Sequence, residues 1–443
     1  MEAPSRPALA VPAGDSLIRR VVPPRRPFPP LSRSAPAAPA APPHAGAEVR
    51  GRGSPRSRAR PRAGLLAFLV AGLCGAPPAG AEGPALPGDA PGPAADRGEI
   101  VLAAGGDVTL GARLEEHLKA LAIEDVTLDP HAYPFARIAH HLRAADLALV
   151  NLEGPFTARG QRLPKNFNFR ASPHLAEALS RAGIAAVSLA NNHVMDYGAV
   201  GLEDTLAALA REGIVAFGAG MSLPAARRGA VVERRGMRIG LLGYLFLGDH
   251  SIEPAALFAG PGRPGVAGHP WSTAAVEAMV RQDVGNLRPR VDALVVSFHW
   301  GREKRYEPEA YQRRLGRAAV EAGAQLVLGH HPHVIQEIEA YRGGLIAYSL
   351  GNFVFGGKWK PDDTDSILLK VRLRPAPSAP PAAPAPPAAV AGFEVVPLTL
   401  GLYPDAPFQP VELTGEAAAR VRARLGAFTP GPGGGGGRGA ASR

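Results

Sequence analysis

The chain has 443 residues, 46% of them hydrophobic and 20% charged, so it can bury one large domain or two ordinary ones and is not disordered throughout. Its 53 glycines and 47 prolines exceed what a compact domain of this length holds and point to low-complexity segments. The formal charge of +10 does not mark a nucleic-acid surface, because residues 1–62 hold twelve Arg and no Lys against Glu2, Asp15 and Glu48, and everything from Glu82 onward nets only +1. With Cys74 as the one cysteine, a disulfide framework and a cysteine metal site are both excluded.

Residues 1–62 are rich in Pro, Ala, Arg and Ser and cannot bury enough apolar surface to order. The apolar run Ala63–Leu73 and the small residues ending in Ala79-Gly80-Ala81 then predict a secretory signal peptide over 63–81. The run is too short to span a bilayer, which takes about 20 residues. A leader belongs near the start of translation, so a start such as Val49 is expected, with cleavage near Glu82 and an extracytoplasmic location, in the periplasm or at the cell surface. A Pro/Gly/Ala linker over 82–98 leads to one domain, 99–428. That domain carries a Pro/Ala-rich loop at 375–390, set in a hairpin between Ile367–Leu373 and Phe393–Leu398. A Gly-rich tail occupies 429–443.

Within the domain, short β-branched or Leu-rich runs alternate with helical patterns. Strands are predicted over Ile100–Ala104, Leu147–Val150, Ala185–Ala190, Ile214–Phe217, Ala230–Glu233, Arg238–Tyr244, Ala293–Phe298, Leu326–Leu328, Gln336–Tyr341 and Leu345–Leu350. Amphipathic helices are predicted near 111–122, 135–144, 173–182, 200–211, 273–288 and 309–322; Leu202, Leu206 and Leu209 mark the buried stripe of the fourth. This alternation implies an α/β fold, with helices layered on a mixed sheet. Arg235-Gly236 and Arg342-Gly343-Gly344 read as hairpin turns, so part of the sheet is antiparallel.

The polar residues fall at strand ends. Asp107 follows the first strand, Asn151 and Glu153 the second, and Asn191, Asn192 and His193 the third. His299 follows a later strand, His330, His331 and His333 the next, and Asn352 the run IAYSLG. Ligand sites of open α/β sheets lie outside the carboxyl ends of strands, so these residues are expected to converge. Each has a plainer reading taken alone: Asp107 as a helix N-cap, Asn191-Asn192 as a turn, a single His as a surface residue. An H-x-H pair directly after an apolar strand packs poorly, however, and imidazole is the commonest neutral metal ligand. Glu153, Asn192, His193, His299, His331 and His333 form an oxygen- and imidazole-rich set that suits Mn, Fe or Zn rather than calcium.

The segments GGDVTLG, NLEGP, SLANNHVMDYG, FHWGRE, LGHHPHV and AYSLGNFVF resemble, in order, the CapA family of poly-γ-glutamate capsule proteins, a branch of the calcineurin-like metallophosphoesterase superfamily. The resemblance covers Ile100 to Phe355. It implies a layered α-β-β-α sandwich with mixed sheets and one or two divalent ions, held by Asp107, Glu153, Asn192, His299, His331 and His333. Glu153 takes the place of the superfamily's bridging Asp, and Thr109 stands where a metal-binding His is usual; the extra His330 replaces that His only in part. His193 is implied as general acid. Arg170 is expected to clamp a carboxylate or phosphate through its planar fork, with Asn191, Glu303 and Asn352 as further substrate contacts and Tyr306 at the rim. Two functions follow: a metal-dependent hydrolase of a phosphoester or γ-glutamyl polymer, or a non-catalytic component of capsule assembly or export. Either implies an anionic polymer or phosphoester ligand and membrane-bound synthesis partners, without nucleic acid.

Overall fold

The computed structural model describes residues 98–248, 253–357, 361–377, 386–401 and 407–426. The expected leader, the basic segment before it and the Gly-rich tail lie outside these residues. The first part of the chain gives β1 (Ile100–Thr109), α1 (Arg113–Glu124), α2 (Ala139–Arg143), β2 (Leu147–Leu152), α3 (Ala176–Ala182), β3 (Ile184–Ser188), α4 (Gly198–Arg211) and β4 (Val215–Phe217). Next come β5 (Ala219–Gly220), α5 (Leu223–Arg227), β6 (Ala230–Arg234), β7 (Met237–Phe246), β8 (Gly265–Val266) and α6 (Thr273–Leu287). These are followed by β9 (Ala293–Trp300), α7 (Ala310–Ala322), β10 (Leu326–His330), β11 (Ile338–Tyr341) and β12 (Gly344–Ala347). The described part closes with β13 (Asn352–Phe355), β14 (Asp365–Arg374), β15 (Ala389–Leu400), β16 (Pro410–Glu412) and α8 (Gly415–Arg424).

The fold is mixed α/β. The larger sheet runs β16-β15-β14-β1-β2-β3-β4, with β13 also on β1; a six-stranded sheet runs β11-β12-β10-β9-β7-β6, and β5 pairs with β8. β1 to β4 are mutually parallel, as are β7, β9, β10 and β12, while β6 and β11 close the second sheet as antiparallel edges. Both antiparallel edges are made by the expected turns. Arg235 and Gly236 have φ of 48° and 70°, and Arg342 and Gly343 have 46° and 82°, the double left-handed geometry of two-residue hairpins.

Strand alternation sorts the apolar residues into three cores. Ile100, Leu102 and Ala104 of β1 join Ala293 and Val295 of β9 and Leu326 and Leu328 of β10 in a core shared by the two sheets. The other face of the larger sheet packs Ala103, Val108 and Val150 against Leu114, Leu179, Leu202 and Leu209 of the helices. The other face of the second sheet packs Leu294, Val296, Phe298 and Trp300 against α6 and α7. In α4, Leu202 and Leu209 are buried as expected and Leu206 is half-buried; Thr205 takes the buried place, accepting from Phe156 N–H and donating to Gly201 O.

Two expectations change. Asn352 opens β13 rather than ending a strand, because β12 stops at Ala347 and the chain crosses over to lie parallel with β1. The Pro/Ala-rich loop does join antiparallel strands, but β15 already begins at Ala389, and buried Ala388 donates its N–H to Asp292 O. The end of that segment therefore belongs to the fold. Among the described residues, no helix is long and apolar enough to cross a membrane.

α8, absent from the expected elements, is held by its charges as well as by buried Val421. Arg424 donates to Asp363 at 2.5 Å and to Asp365 at 2.5 Å, and Arg420 reaches Asp365 at 2.8 Å. Burial opposes ionisation of Asp363, yet the bond from Arg424 holds its carboxyl below the ordinary value. A depressed carboxyl stabilises the fold above its unfolded value and loses that contribution as pH falls through the folded one. Arg424→Ala should therefore cost about 1–2 kcal/mol, less than a fully buried pair because both groups are partly exposed. Urea midpoints are expected to show this cost at neutral pH and to converge with wild type in acid, with faster amide exchange over 415–424 in the variant.

Candidate metal centre

The shared core ends in polar side chains. Along β10 the inner face carries Leu326 and Leu328 and then His330; along β9 it carries Ala293 and Val295, then Ser297 and His299. His330 and His299 are paired across these strands. On β1 the register shifts after Ala104, and Asp107 lies opposite Asn151 on one side and Asn352 on the other. β1 approaches its neighbour closely here: a Cβ on Gly106 would lie 1.9 Å from Gly351 O, so only glycine fits.

Asp107 is fully buried. Its Oδ1 accepts from Asn151 Nδ2 at 2.8 Å and its Oδ2 from His331 N–H at 3.1 Å. His330 Nδ1 lies 3.4 Å from Oδ1, and His333 Nδ1 lies 3.4 Å from Oδ2. Burial opposes the charge, but the two imidazoles hold this carboxyl well below its usual range. Asp107 is therefore no helix N-cap.

Glu153 contrasts with it. It is 1% exposed, and neither carboxylate oxygen has a hydrogen-bond partner. His299 Nε2 is 3.6 Å from Oε1, and His333 Nε2 is 3.9 Å from the same atom. Burial pushes the carboxyl up to about 8, and the Asp107 charge adds to the rise against the pull of His333.

The GHHPH run turns sharply after β10. His331 and His333 both have positive φ, 96° and 57°, which strains non-glycine residues and recurs at functional sites. Asn352 fixes His333, facing its Nδ1 at 2.9 Å and donating to its carbonyl at 3.2 Å. Burial would lower the His333 value, but Glu153 and Asp107 raise it to about 10. Burial lowers His331 to about 3, with the His333 charge adding to the fall, and its Nδ1 is buried without a partner.

Three ligand groups overlap here, each with its atoms within 4.8 Å: Glu153 with His299 and His331, Asp107 with Glu153 and His333, and Glu303 with His331 and His333. Glu153 belongs to two of them. Unpaired buried carboxylate oxygens beside imidazole nitrogens could hold a divalent cation, and a buried donor set left unpaired would otherwise cost several kcal/mol, about 1–3 per group.

The loop after β3 carries the remaining polar groups. Asn191, expected to meet substrate, is committed internally: its amide donates to Asn151 Oδ1 and Leu152 O, and its oxygen accepts from the N–H groups of His193 and Val194. It shapes the loop instead. Asn192 turns its Oδ1 to His299 Nε2 at 3.0 Å and donates to Glu253. His193 Nδ1 is 2.7 Å from Asp196 Oδ2, and its ring lies over Phe169 at 4.1 Å. Burial lowers the His193 value, and Asp196 opposes that fall. Beneath the loop, Lys165 donates to Asn192 O at 2.6 Å and lies 3.1 Å from Asp196 and 3.3 Å from Glu253. Sequence reading assigned no role to Lys165, Asp196 or Glu253; Asp196 stands inside the quoted run SLANNHVMDYG, three residues after His193, and that spacing was the available signal.

A cavity of about 450 Å³ opens beside the centre, and His193, Glu303, Tyr306, His333, Asn352 and Phe169 are among its lining residues. Arg170, expected as the substrate clamp, is exposed, lies 4.6 Å over the Tyr197 ring, and lines a second, smaller pocket with Glu153 and Phe169 rather than the wall of that cavity. Gln312 is buried in its helix and completes a capping box with Glu309.

The family model of the bacterial capsule synthesis protein PGA_cap matches residues 101–357. The capsule biosynthesis protein CapA of Bacillus anthracis is 31% identical over 277 residues, 61% of this chain and 62% of that protein. The PGA biosynthesis protein CapA of Bacillus subtilis is 30% identical over 272 residues, 61% of this chain and 66% of that protein. A probable polyglutamine synthesis accessory protein of Mycobacterium tuberculosis is 36% identical over 214 residues, 48% and 56% of the two chains. The match thus spans less than two thirds of each of these relatives.

Asp107→Ala and Glu153→Ala should each lower the metal bound per chain, measured by inductively coupled plasma mass spectrometry after loading. Glu153→Ala should cost little in melting temperature, whereas Asp107→Ala leaves Asn151 and the His331 N–H unpaired and should lower it. A cation must displace protons from Glu153 and His333, whose values lie near 8 and 10. Uptake should accordingly tighten as pH rises from about 6 to 9, and calorimetry in buffers of different ionisation enthalpy should register the released protons.

Proposed function

The chain belongs to the PGA_cap family of bacterial capsule synthesis proteins, and on that premise we propose that it acts on an anionic capsule polymer of the poly-γ-glutamate kind through a metal-dependent, hydrolase-type site outside the cytoplasm. We also read the succession of helices, sheet, sheet and helices as the α-β-β-α sandwich of the calcineurin-like metallophosphoesterase superfamily. The observation that carries the reading is Glu153: a buried carboxylate without hydrogen bonds, ringed by His299, His331 and His333 and set beside a cavity that His193 lines.

Asp107, Glu153, His299, His331 and His333 would hold the metal, with the Asn192 carboxamide oxygen at its edge. A divalent ion there supplies a Lewis acid and lowers the pKa of a bound water. The chain's own groups provide the rest. Asp196 fixes the Nδ1 side of the His193 ring, which leaves Nε2 as the atom that can pass a proton to a leaving group. Phe169 packs against the ring at a tilt, 4.1 Å between centroids, and limits its rotation. Phe167, Phe169, Tyr306 and Phe355 give the cavity apolar walls for the methylene stem of a γ-glutamyl unit, and Glu303 stands at its mouth.

The test is turnover by metal-loaded protein, with poly-γ-glutamate length followed by size-exclusion chromatography and chromogenic phosphoesters as a parallel substrate class. His193→Ala should keep its metal and lose about 10²–10⁴ in rate, the range for a missing general acid. Polymer that is bound but never shortened, by any metal-loaded form, would leave the assembly role in place of the hydrolase. Amino-terminal sequencing of exported protein should read from near Glu82; full-length chain retained in the cytoplasm would remove the extracytoplasmic part of the proposal.

A further inference from the structure

His330 is fully buried, and neither of its ring nitrogens has a hydrogen-bond partner. Buried imidazoles with both nitrogens unpaired are costly, about 1–3 kcal/mol for each unsatisfied group, and a core position would favour a leucine. Its sheet position explains the direction it faces. Alternation along β10 places it on the face of Leu326 and Leu328, toward the core between the sheets, at the end where that core turns polar.

The spacing is informative. His330 Nδ1 lies 3.4 Å from Asp107 Oδ1, and His333 Nδ1 lies 3.4 Å from Asp107 Oδ2. Both separations are long for charge-assisted hydrogen bonds, which run about 2.7–2.9 Å. Two ligand atoms about 2.1 Å from one ion, at a near-tetrahedral angle, lie about 3.4 Å apart. Asp107 Oδ1 thus faces the unpartnered His330 nitrogen at the distance that shared coordination would set, whereas His333 Nδ1 is already committed to Asn352 Oδ1 at 2.9 Å.

We propose that His330 is a metal ligand, binding through its ring nitrogen on the Oδ1 side of Asp107 and adding an imidazole to the set already described. This rests on the metal-dependent reading of the site. It gives the centre four imidazoles and two carboxylates, a nitrogen-rich set that suits Zn, Fe or Mn over magnesium or calcium.

The test uses the full chain loaded with Co²⁺, whose visible and near-ultraviolet bands report its ligands. His330→Asn should bind Co²⁺ at least about 10–100-fold more weakly than wild type, the loss already produced by removing an outer-shell partner, with altered visible bands. His330→Cys should bind Co²⁺ with a thiolate-to-cobalt charge-transfer band absent from wild type, a gain of signal that arises only where the side chain at 330 touches the ion. Circular dichroism confirms that each variant is folded, and the cysteine variant carries the test if the asparagine variant is not. Variants with wild-type cobalt affinity and spectrum, and no charge-transfer band, would overturn the assignment of His330 while leaving the metal centre standing. A wild-type chain that takes up no cation would overturn both.

Discussion

The constraint on which this site depends is the burial of Glu153 without a hydrogen bond. A carboxylate in a dry interior is destabilised until opposite charge compensates it, and here the nearest compensation is imidazole: His299 at 3.6 Å and His333 at 3.9 Å. A second carboxylate, Asp107, sits in the same pocket and makes the problem worse, raising Glu153 further. One proton on His333 cannot serve both acids well. The ring bridges them only by lying 3.4 Å from one and 3.9 Å from the other. A divalent charge among these atoms would solve what a single proton solves poorly.

The fold keeps this arrangement from relaxing. Asp107 is pinned through its N–H to Gly351 O at 2.9 Å, and the glycine pair before it lets β1 run against that loop. β1 changes partner at this point, pairing with β14 as far as Ala104 and with β13 from Asp107 onward. The left-handed backbone of His331 and His333 costs of order 1–3 kcal/mol each, which three apolar cores can offset. The carboxyl ends of β1, β2, β3, β9 and β10 meet where the shared core ends, so the polar residues cannot retreat into solvent without opening both sheets.

Much of this was legible because strand periodicity and strand-end position are local signals. An apolar run followed directly by Asp107, by Asn151 and Glu153, or by His330 to His333 can be read from a few residues. What could not be read was orientation. Arg170 lies near the motif residues in sequence but stacks on Tyr197, a choice made by a contact 27 positions away. Asn191 and Asn192 are adjacent and polar, yet one is used up inside the loop and the other faces His299, a difference fixed by backbone geometry. β13 and α8 were missed for related reasons: β13 is four residues long and paired across the chain, and α8 depends on distant Asp363 and Asp365.

The residues that sequence missed also separate two tasks. Asp196, Lys165 and Glu253 form a charged network under the β3 loop, one carboxylate on His193 and the ammonium between the two acids. None of the three belongs to the ligand groups around Glu153. The loop reaches the centre through Asn192, whose oxygen meets His299, and through Asn191, which donates to Asn151 beside Asp107. Orientation of the His193 ring is therefore set by one ion network and the geometry of the carboxylates by the sheet ends, with the carboxamides of Asn191 and Asn192 joining them.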